Sequence, residues 1–130
     1  MELQIIDGLF SVCKVTGLDP EVLNAPFCFV GKTDEELSLV CPTGLVPGGV
    51  TDREDGWRAF RIQGVLDFSL VGILAPIAAA LAEARIGIFA VSTFNTDYVL
   101  VKEEAFDRAL TVLAGKGYRV VWVPAAGGVS

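Results

Sequence analysis

Residues 57–101, WRAFRIQGVLDFSLVGILAPIAAALAEARIGIFAVSTFNTDYVLV, decide the fold. Trp57, Ala59 and Arg61 alternate with Arg58, Phe60 and Ile62, the period-two pattern of a strand with one wetter face. Ile73, Leu74, Ile77, Ala78, Leu81 and Ala82 then recur at helical spacing. Pro76 lies inside that pattern, and it is tolerated if the helix starts near Gly72, because the first N–H groups of a helix have no intrahelical partner. Ile86 to Val91 is apolar on both faces and reads as an interior strand. Tyr98 to Val101 reads as a strand returning after the polar corner Ser92 to Asp97. The order is strand, helix, strand, strand.

Working outward, Glu103 and Glu104 suit the first turn of a second helix whose apolar face is Phe106, Ala109, Leu110 and Leu113, with Gly115 or Gly117 at its end. Tyr118 to Val123 reads as a closing strand and the last residues as a loose tail. The resulting β-α-β-β-α-β order is ferredoxin-like, with two helices on one face of an antiparallel sheet. Upstream, Leu9 to Val15 alternates as a strand, Asp19 precedes a short helical turn at PEVL, and Phe27 to Gly31 with Leu37 to Cys41 form a hairpin. Pro42 to Gly56, dense in Gly, Pro, Asp and Thr, reads as a linker. Thr33-Asp34-Glu35-Glu36 before one strand echoes Thr93-Phe94-Asn95-Thr96-Asp97 before another. The expectation is therefore an α+β chain of two ferredoxin-like units, an abbreviated one in residues 1–50 and a full one in residues 51–130.

Composition narrows the function. With 10 Lys plus Arg against 16 Asp plus Glu the net charge is −6, and the basic residues are scattered, which argues against a nucleic-acid partner. Glu2 and Asp7 stand where an export signal needs positive charge, and Pro76, Glu83 and Arg85 interrupt the longest apolar run well short of the roughly 20 residues that span a bilayer. A cytoplasmic protein without a membrane partner is expected. There is no His, and Cys13, Cys28 and Cys41 form no C-x-x-C pair, so no metal, no cofactor and no activated nucleophile is expected. The acidic runs at 34–36 and 52–56 read as solvated loops rather than paired acid and base. No catalytic residue is named, and the chain is read as a non-enzyme.

The segment Gly72-Ile-Leu-Ala-Pro-Ile-Ala-Ala-Ala-Leu-Ala-Glu-Ala-Arg-Ile-Gly-Ile-Phe, followed by Ser92-Thr-Phe-Asn-Thr-Asp-Tyr-Val-Leu-Val, resembles ACT domains. It is similar to the ACT modules of aspartate kinase regulatory regions and of CASTOR-type amino-acid sensors. The likeness covers Trp57 to Val121 and, more loosely, Leu9 to Cys41 through Val12-Cys13-Lys14 and Thr33, Glu36, Ser38 and Val40. It implies tandem ACT units, the first abbreviated, holding a free amino acid at the junction between units and regulating without catalysis. By position the implied ligand-binding residues are Asp67, Phe68, Ser69, Leu70, Val71, Gly72 and Ile73 on one side, and Ser92, Thr93, Phe94, Asn95, Thr96 and Asp97 on the other. N–H groups around Gly72 and Ile73 suit a carboxylate, and Asp97 or Asp67 suits an ammonium. Asp97 has a rival role as the cap of a tight corner. The first unit lacks a second helix and no catalytic domain is attached, so output is expected through a homodimer or a regulated protein partner. The alternative is a structural oligomerisation or protein-interaction module that binds no small ligand.

Overall fold

The computed structural model describes residues 1–63 and 72–122. Among them the chain forms β1 (Glu2–Lys14), α1 (Pro20–Leu23), β2 (Phe29–Lys32), β3 (Leu37–Pro42), a 3-10 turn (Thr43–Leu45), β4 (Arg53–Ile62), α2 (Leu74–Glu83), β5 (Ile88–Ser92), β6 (Asp97–Lys102), α3 (Glu103–Gly115) and β7 (Arg119–Trp122). Packing divides it into two units: Met1–Asp7 with Arg58–Ser130, and Gly8–Trp57. β1 and β4 each contribute residues to both units. β1 begins at Glu2 rather than Leu9, and Gly8 at φ +94 lets the strand bend and continue past Asp7. β4 begins at Arg53, so Arg53 to Gly56 of the DREDG run taken for solvated loop is strand.

In the unit containing the C-terminal half, the sheet order is β7-β1-β4-β6-β5. Glu2, Leu3, Gln4 and Ile5 of β1 run parallel to Arg119, Val120, Val121 and Trp122. The antiparallel sheet expected here thus carries one parallel pair, β1 with β7, and the N-terminal strand lies between β7 and β4. The interior position expected for β5 is corrected. It pairs antiparallel with β6 from Ile88↔Val101 to Ser92↔Asp97 and has no second neighbour among the described residues. Its side chains are half-buried or exposed, so its unbroken apolarity marks an edge.

Both long helices lie on one face of this sheet. Ile77, Ala80 and Leu81 of α2 and Phe106, Ala109 and Leu113 of α3 form one buried cluster with Leu3, Phe60, Ile62, Val99 and Val101, alternate positions of β1, β4 and β6. Each fully buried side chain of this size contributes about 1.5–3 kcal/mol. Helix α2 starts at Leu74, two residues later than expected, with Ile73 before it and Gly72 at φ +72. A left-handed backbone ahead of the helix explains why glycine stands there. Pro76 then falls in the first turn, where its missing N–H costs no hydrogen bond.

The other unit pairs β1 with β3 antiparallel, from Phe10↔Pro42 to Lys14↔Ser38, and β3 with β2 from Phe29↔Val40 to Lys32↔Leu37. Cys13, Val15, Val22, Leu39 and Cys41 make its core, with Leu18, Cys28, Leu45, Val46 and Val50 packed around them. All three cysteines are free thiols. Burial raises the pKa of each, and that of Cys41 is pushed from the usual 9.0 to about 11, with Cys13 and Cys28 adding to the effect. Polar groups at the rim of this core are satisfied: the Ser11 hydroxyl donates to Asp55, shares a 2.9 Å hydrogen bond with Thr43, and Arg53 donates to the same carboxylate oxygen at 3.0 and 3.1 Å.

The two hairpins match at a constant spacing in sequence. Four residues, 33–36, join β2 to β3, and four, 93–96, join β5 to β6, with a threonine first in each. Each threonine donates its N–H to the carbonyl of the fourth residue at 2.9 Å, and its hydroxyl accepts from the returning N–H groups.

No helix among the described residues is long and apolar enough to cross a membrane.

Candidate functional site

On β4 the same alternation that sends Phe60 and Ile62 into the helix-covered core sends Arg61 to the opposite face. Gln4 of β1 and Tyr98 of β6 lie on that face in the neighbouring strands, and the three side chains meet. The Arg61 Nε donates to Gln4 Oε1 at 3.1 Å and Nη1 donates to the Tyr98 hydroxyl at 3.1 Å, with the guanidinium carbon 5.9 Å from the Tyr98 ring centre. Gln4 is only 9% exposed, so burial depends on this bond being made.

The 93–96 corner completes the arrangement. Thr96 is buried and its hydroxyl donates to the carbonyl of Ile62 at 2.8 Å, which ties the hairpin to the end of β4. Beside that tie lies a cavity of about 240 Å³ lined by Gln4, Arg61, Ile62, Gln63, Asn95, Thr96 and Tyr98. The lining holds one cation, three carboxamides and a phenol, and no carboxylate. A second hollow of about 290 Å³, between α2 and the segment after α3, is lined by Pro76, Ala79, Ala80, Glu83, Lys116 and Tyr118 and offers one acid, one base and small apolar surface.

Of the thirteen residues named from the family resemblance, Asn95 and Thr96 line the first cavity. Ser92 ends β5 and Asp97 begins β6, paired across the hairpin. Thr93 is occupied in the corner's own hydrogen bonds, donating through Oγ1 to the Thr96 carbonyl at 2.8 Å. Phe94, at the tip, is 78% exposed. Gly72 precedes α2 and Ile73 packs against the helix-covered core. Asp67, Phe68, Ser69, Leu70 and Val71 lie outside the described residues. Sequence reading did not single out Gln4, Arg61, Gln63 or Tyr98. The signal was present for Arg61, a charge on the wetter side of an alternating strand, but not for Gln4, whose strand was itself missed. Among the described residues no cluster of three or more Cys, Asp or Glu is placed to hold a metal ion.

Fold and cavity define an α+β domain of ferredoxin-like character with a polar hollow beside one hairpin corner. Residues 52–115 match the family model of the ACT domain, and through them the chain belongs to the ACT-domain proteins. The subunit 1 cytosolic arginine sensor for mTORC1 of Rattus norvegicus is 40% identical over 103 residues, covering 72% of this chain and 30% of that protein. The chain spans less than a third of the length of the curated relatives it matches. A solved structure of an Agrobacterium tumefaciens protein superposes with a TM-score of 0.85 at 28% identity, over 95% of this chain and 93% of that one. Aspartokinase alpha and beta subunits share the fold, with a TM-score of 0.58 at 18% identity over 88% of this chain and 96% of theirs.

Proposed function

We propose that this chain is a non-catalytic regulatory module that binds a free amino acid at the loop end of its ACT domain. The observation that carries the reading is the polar cavity beside the 93–96 corner, whose lining residues other than Gln4 fall in the segment that matches the ACT model. A relative named as an arginine sensor and a fold shared with aspartokinase subunits support an amino-acid ligand. In this reading the corner Ser92 to Asp97 and the approach to α2 at Gly72 and Ile73 supply the ligand contacts. The N-terminal unit is an abbreviated ACT partner, supported by its matching threonine-led corner. Output passes through self-association or a protein partner.

The test is thermal unfolding of the whole chain in the presence of each of the twenty amino acids. A true ligand raises the midpoint with concentration, adding about 2.7 kcal/mol at one hundred times its dissociation constant. A flat response across all twenty rejects the reading.

Assembly without a ligand is a second reading, favoured by the apolar residues on the β5 edge and by the exposed Phe94 at its end. Sedimentation distinguishes the two. Self-association that is lost in Phe94→Asp, together with that flat amino-acid screen, favours assembly.

A further inference from the structure

We propose that Cys28 and Cys41 form a redox latch, a reversible disulfide across the β2–β3 pair that fixes the edge strand β2 to its neighbour. The register brings the two thiols together. Phe29 pairs with Val40 at the start of β2, so one step further along the ladder Cys28 stands opposite Cys41. Their side chains share a face. Cys41 is in the core with Cys13 and Leu39, and Cys28 packs against it, whereas the preceding residue Phe27 lies on the other side, edge-on to Phe10 at 6.3 Å.

The hydrogen-bond phase of the ladder favours this pair. Thr33 donates its N–H to the Glu36 carbonyl at 2.9 Å, which makes 33 and 36 a bonded pair, and bonded and non-bonded pairs alternate along antiparallel strands. Counted back through the register, Cys28 and Cys41 fall in a non-bonded pair. The other side of β3 agrees: Val15 donates its N–H to the Leu37 carbonyl at 2.9 Å, and alternation then turns the backbone bonds of Leu37, Leu39 and Cys41 toward β1. Non-bonded partners have Cα atoms about 4.5 Å apart, inside the roughly 4.4–6.8 Å that a disulfide spans. Cys13 is the poorer partner. It stands opposite Leu39, so it meets Cys41 only diagonally, at a spacing of roughly 7–8 Å.

Exposure orders the steps. Cys28 is half-buried, whereas Cys41 is fully buried and Cys13 nearly so, and a peroxide therefore meets Cys28 first. The Cys28 sulfur attacks one peroxide oxygen, the O–O bond breaks, and the thiol proton ends on the departing oxygen, leaving a sulfenic acid. The Cys41 sulfur then displaces hydroxide from that sulfur, its own proton leaves with the hydroxide as water, and the S–S bond forms. Two electrons have passed from two thiols to the peroxide. Burial holds each thiol above its ordinary pKa, so this is a slow response to sustained oxidant. The latch closes on an edge: β2 has four residues, three of them exposed, and among the described residues it pairs with β3 alone.

The test uses the whole folded chain and hydrogen peroxide. Trypsin cleaves after Lys14, Lys32 and Arg53, which puts Cys13, Cys28 and Cys41 in three different peptides. After oxidation, alkylation of the remaining thiols and digestion, mass spectrometry should find residues 15–32 linked to residues 33–53, with Cys13 alkylated. Dithiothreitol should return both thiols. The oxidised chain should unfold at a higher temperature than the reduced one and exchange the amide hydrogens of β2 more slowly. Cys28→Ser must lose the link and both effects, and Cys13→Ala must keep them. Linkage of Cys13 to either partner as the main product, a link between two copies of the chain, or Cys28 passing to the sulfinic acid with Cys41 still alkylated overturns the proposal. So does a folded chain whose thiols all survive peroxide, or a Cys28–Cys41 link that leaves β2 exchange and unfolding unchanged. Peptide mapping of the wild type decides even if Cys28→Ser fails to fold.

Discussion

At the scale of single residues the two long helices differ instructively at their ends. Both close with paired bonds back into the last turn: Ile86 N–H to the Leu81 carbonyl and Arg85 N–H to Ala82 after α2, Tyr118 N–H to Leu113 and Gly117 N–H to Ala114 after α3. The residue that turns left-handed is glycine in α3, at φ +100, but Arg85 in α2, at φ +63. A side chain in that conformation costs roughly 1–2 kcal/mol, and glycine returns part of it as lost freedom in the unfolded chain. Arg85→Gly is therefore expected to stabilise by about 0.5–1 kcal/mol and Gly117→Ala to destabilise by about 1 kcal/mol, both read from urea midpoints at unchanged slope. Gly72 obeys the same rule. No atom lies within 4 Å of a Cβ built there, yet φ +72 is hostile to a β-branched side chain, so Gly72→Val strains the backbone before it crowds any ligand. Cys41 supplies a pH dependence. Its folded pKa of about 11 exceeds the ordinary 9.0, so between those values the unfolded thiol has released its proton while the folded one keeps it. The unfolded state then binds fewer protons, and stability falls as pH rises through that window, by on the order of 2–3 kcal/mol in full. Other groups titrate there too, so the measurement is the difference between wild type and Cys41→Val: the wild type must lose more stability from pH 8 to pH 11, and equal losses would refute the assignment.

At the scale of elements, the hairpins are anchored by their corners. Replacing Thr96 with Val keeps its shape but leaves the Ile62 carbonyl without its 2.8 Å partner, and a loss of about 1–3 kcal/mol is expected. Hydrogen exchange at the end of β4 should accelerate in that variant, and unchanged protection would show that the tie does not anchor the corner. The helices, both hairpins and the face they share were legible in the sequence, because Phe60, Ile62, Ile77, Leu81, Val99, Phe106 and Leu113 fall at the periods that burial demands. Period alone misplaced β5, whose Ile88, Phe89 and Val91 are as apolar as an interior strand yet lie at an edge. It also missed the first half of β1, because only the backbone shows the chain bending at Gly8, at φ +94, and running on as one strand. The candidate site suffered from the same gap. Arg61 is visible as a charge on an alternating strand, but its partners Gln4 and Tyr98 belong to strands far away in sequence, and adjacency across a sheet has no local signature.

At the scale of the whole molecule, the division of labour in β1 makes the sharpest prediction. The family model begins at residue 52, and residues 51–130 look self-sufficient by pattern, containing both long helices and four strands. Yet the sheet that these helices cover includes Glu2 to Ile5, lying between β7 and β4, and Leu3 is fully buried in the helix-covered core. A piece starting at residue 51 would expose the pairing edges of β4 and β7 and leave a cavity where Leu3 sat, a combination that invites aggregation. It is expected to lack a cooperative thermal transition by circular dichroism, and to regain one when a peptide of residues 1–14 is added at rising concentration. In the intact chain, Leu3→Ala should cost about 2–5 kcal/mol, as large as the loss of a central helix residue such as Leu81. Cooperative unfolding of residues 51–130 alone, at the stability of the full chain, would mean that the N-terminal strand decorates the sheet instead of completing it, and Leu3→Ala would then be nearly silent.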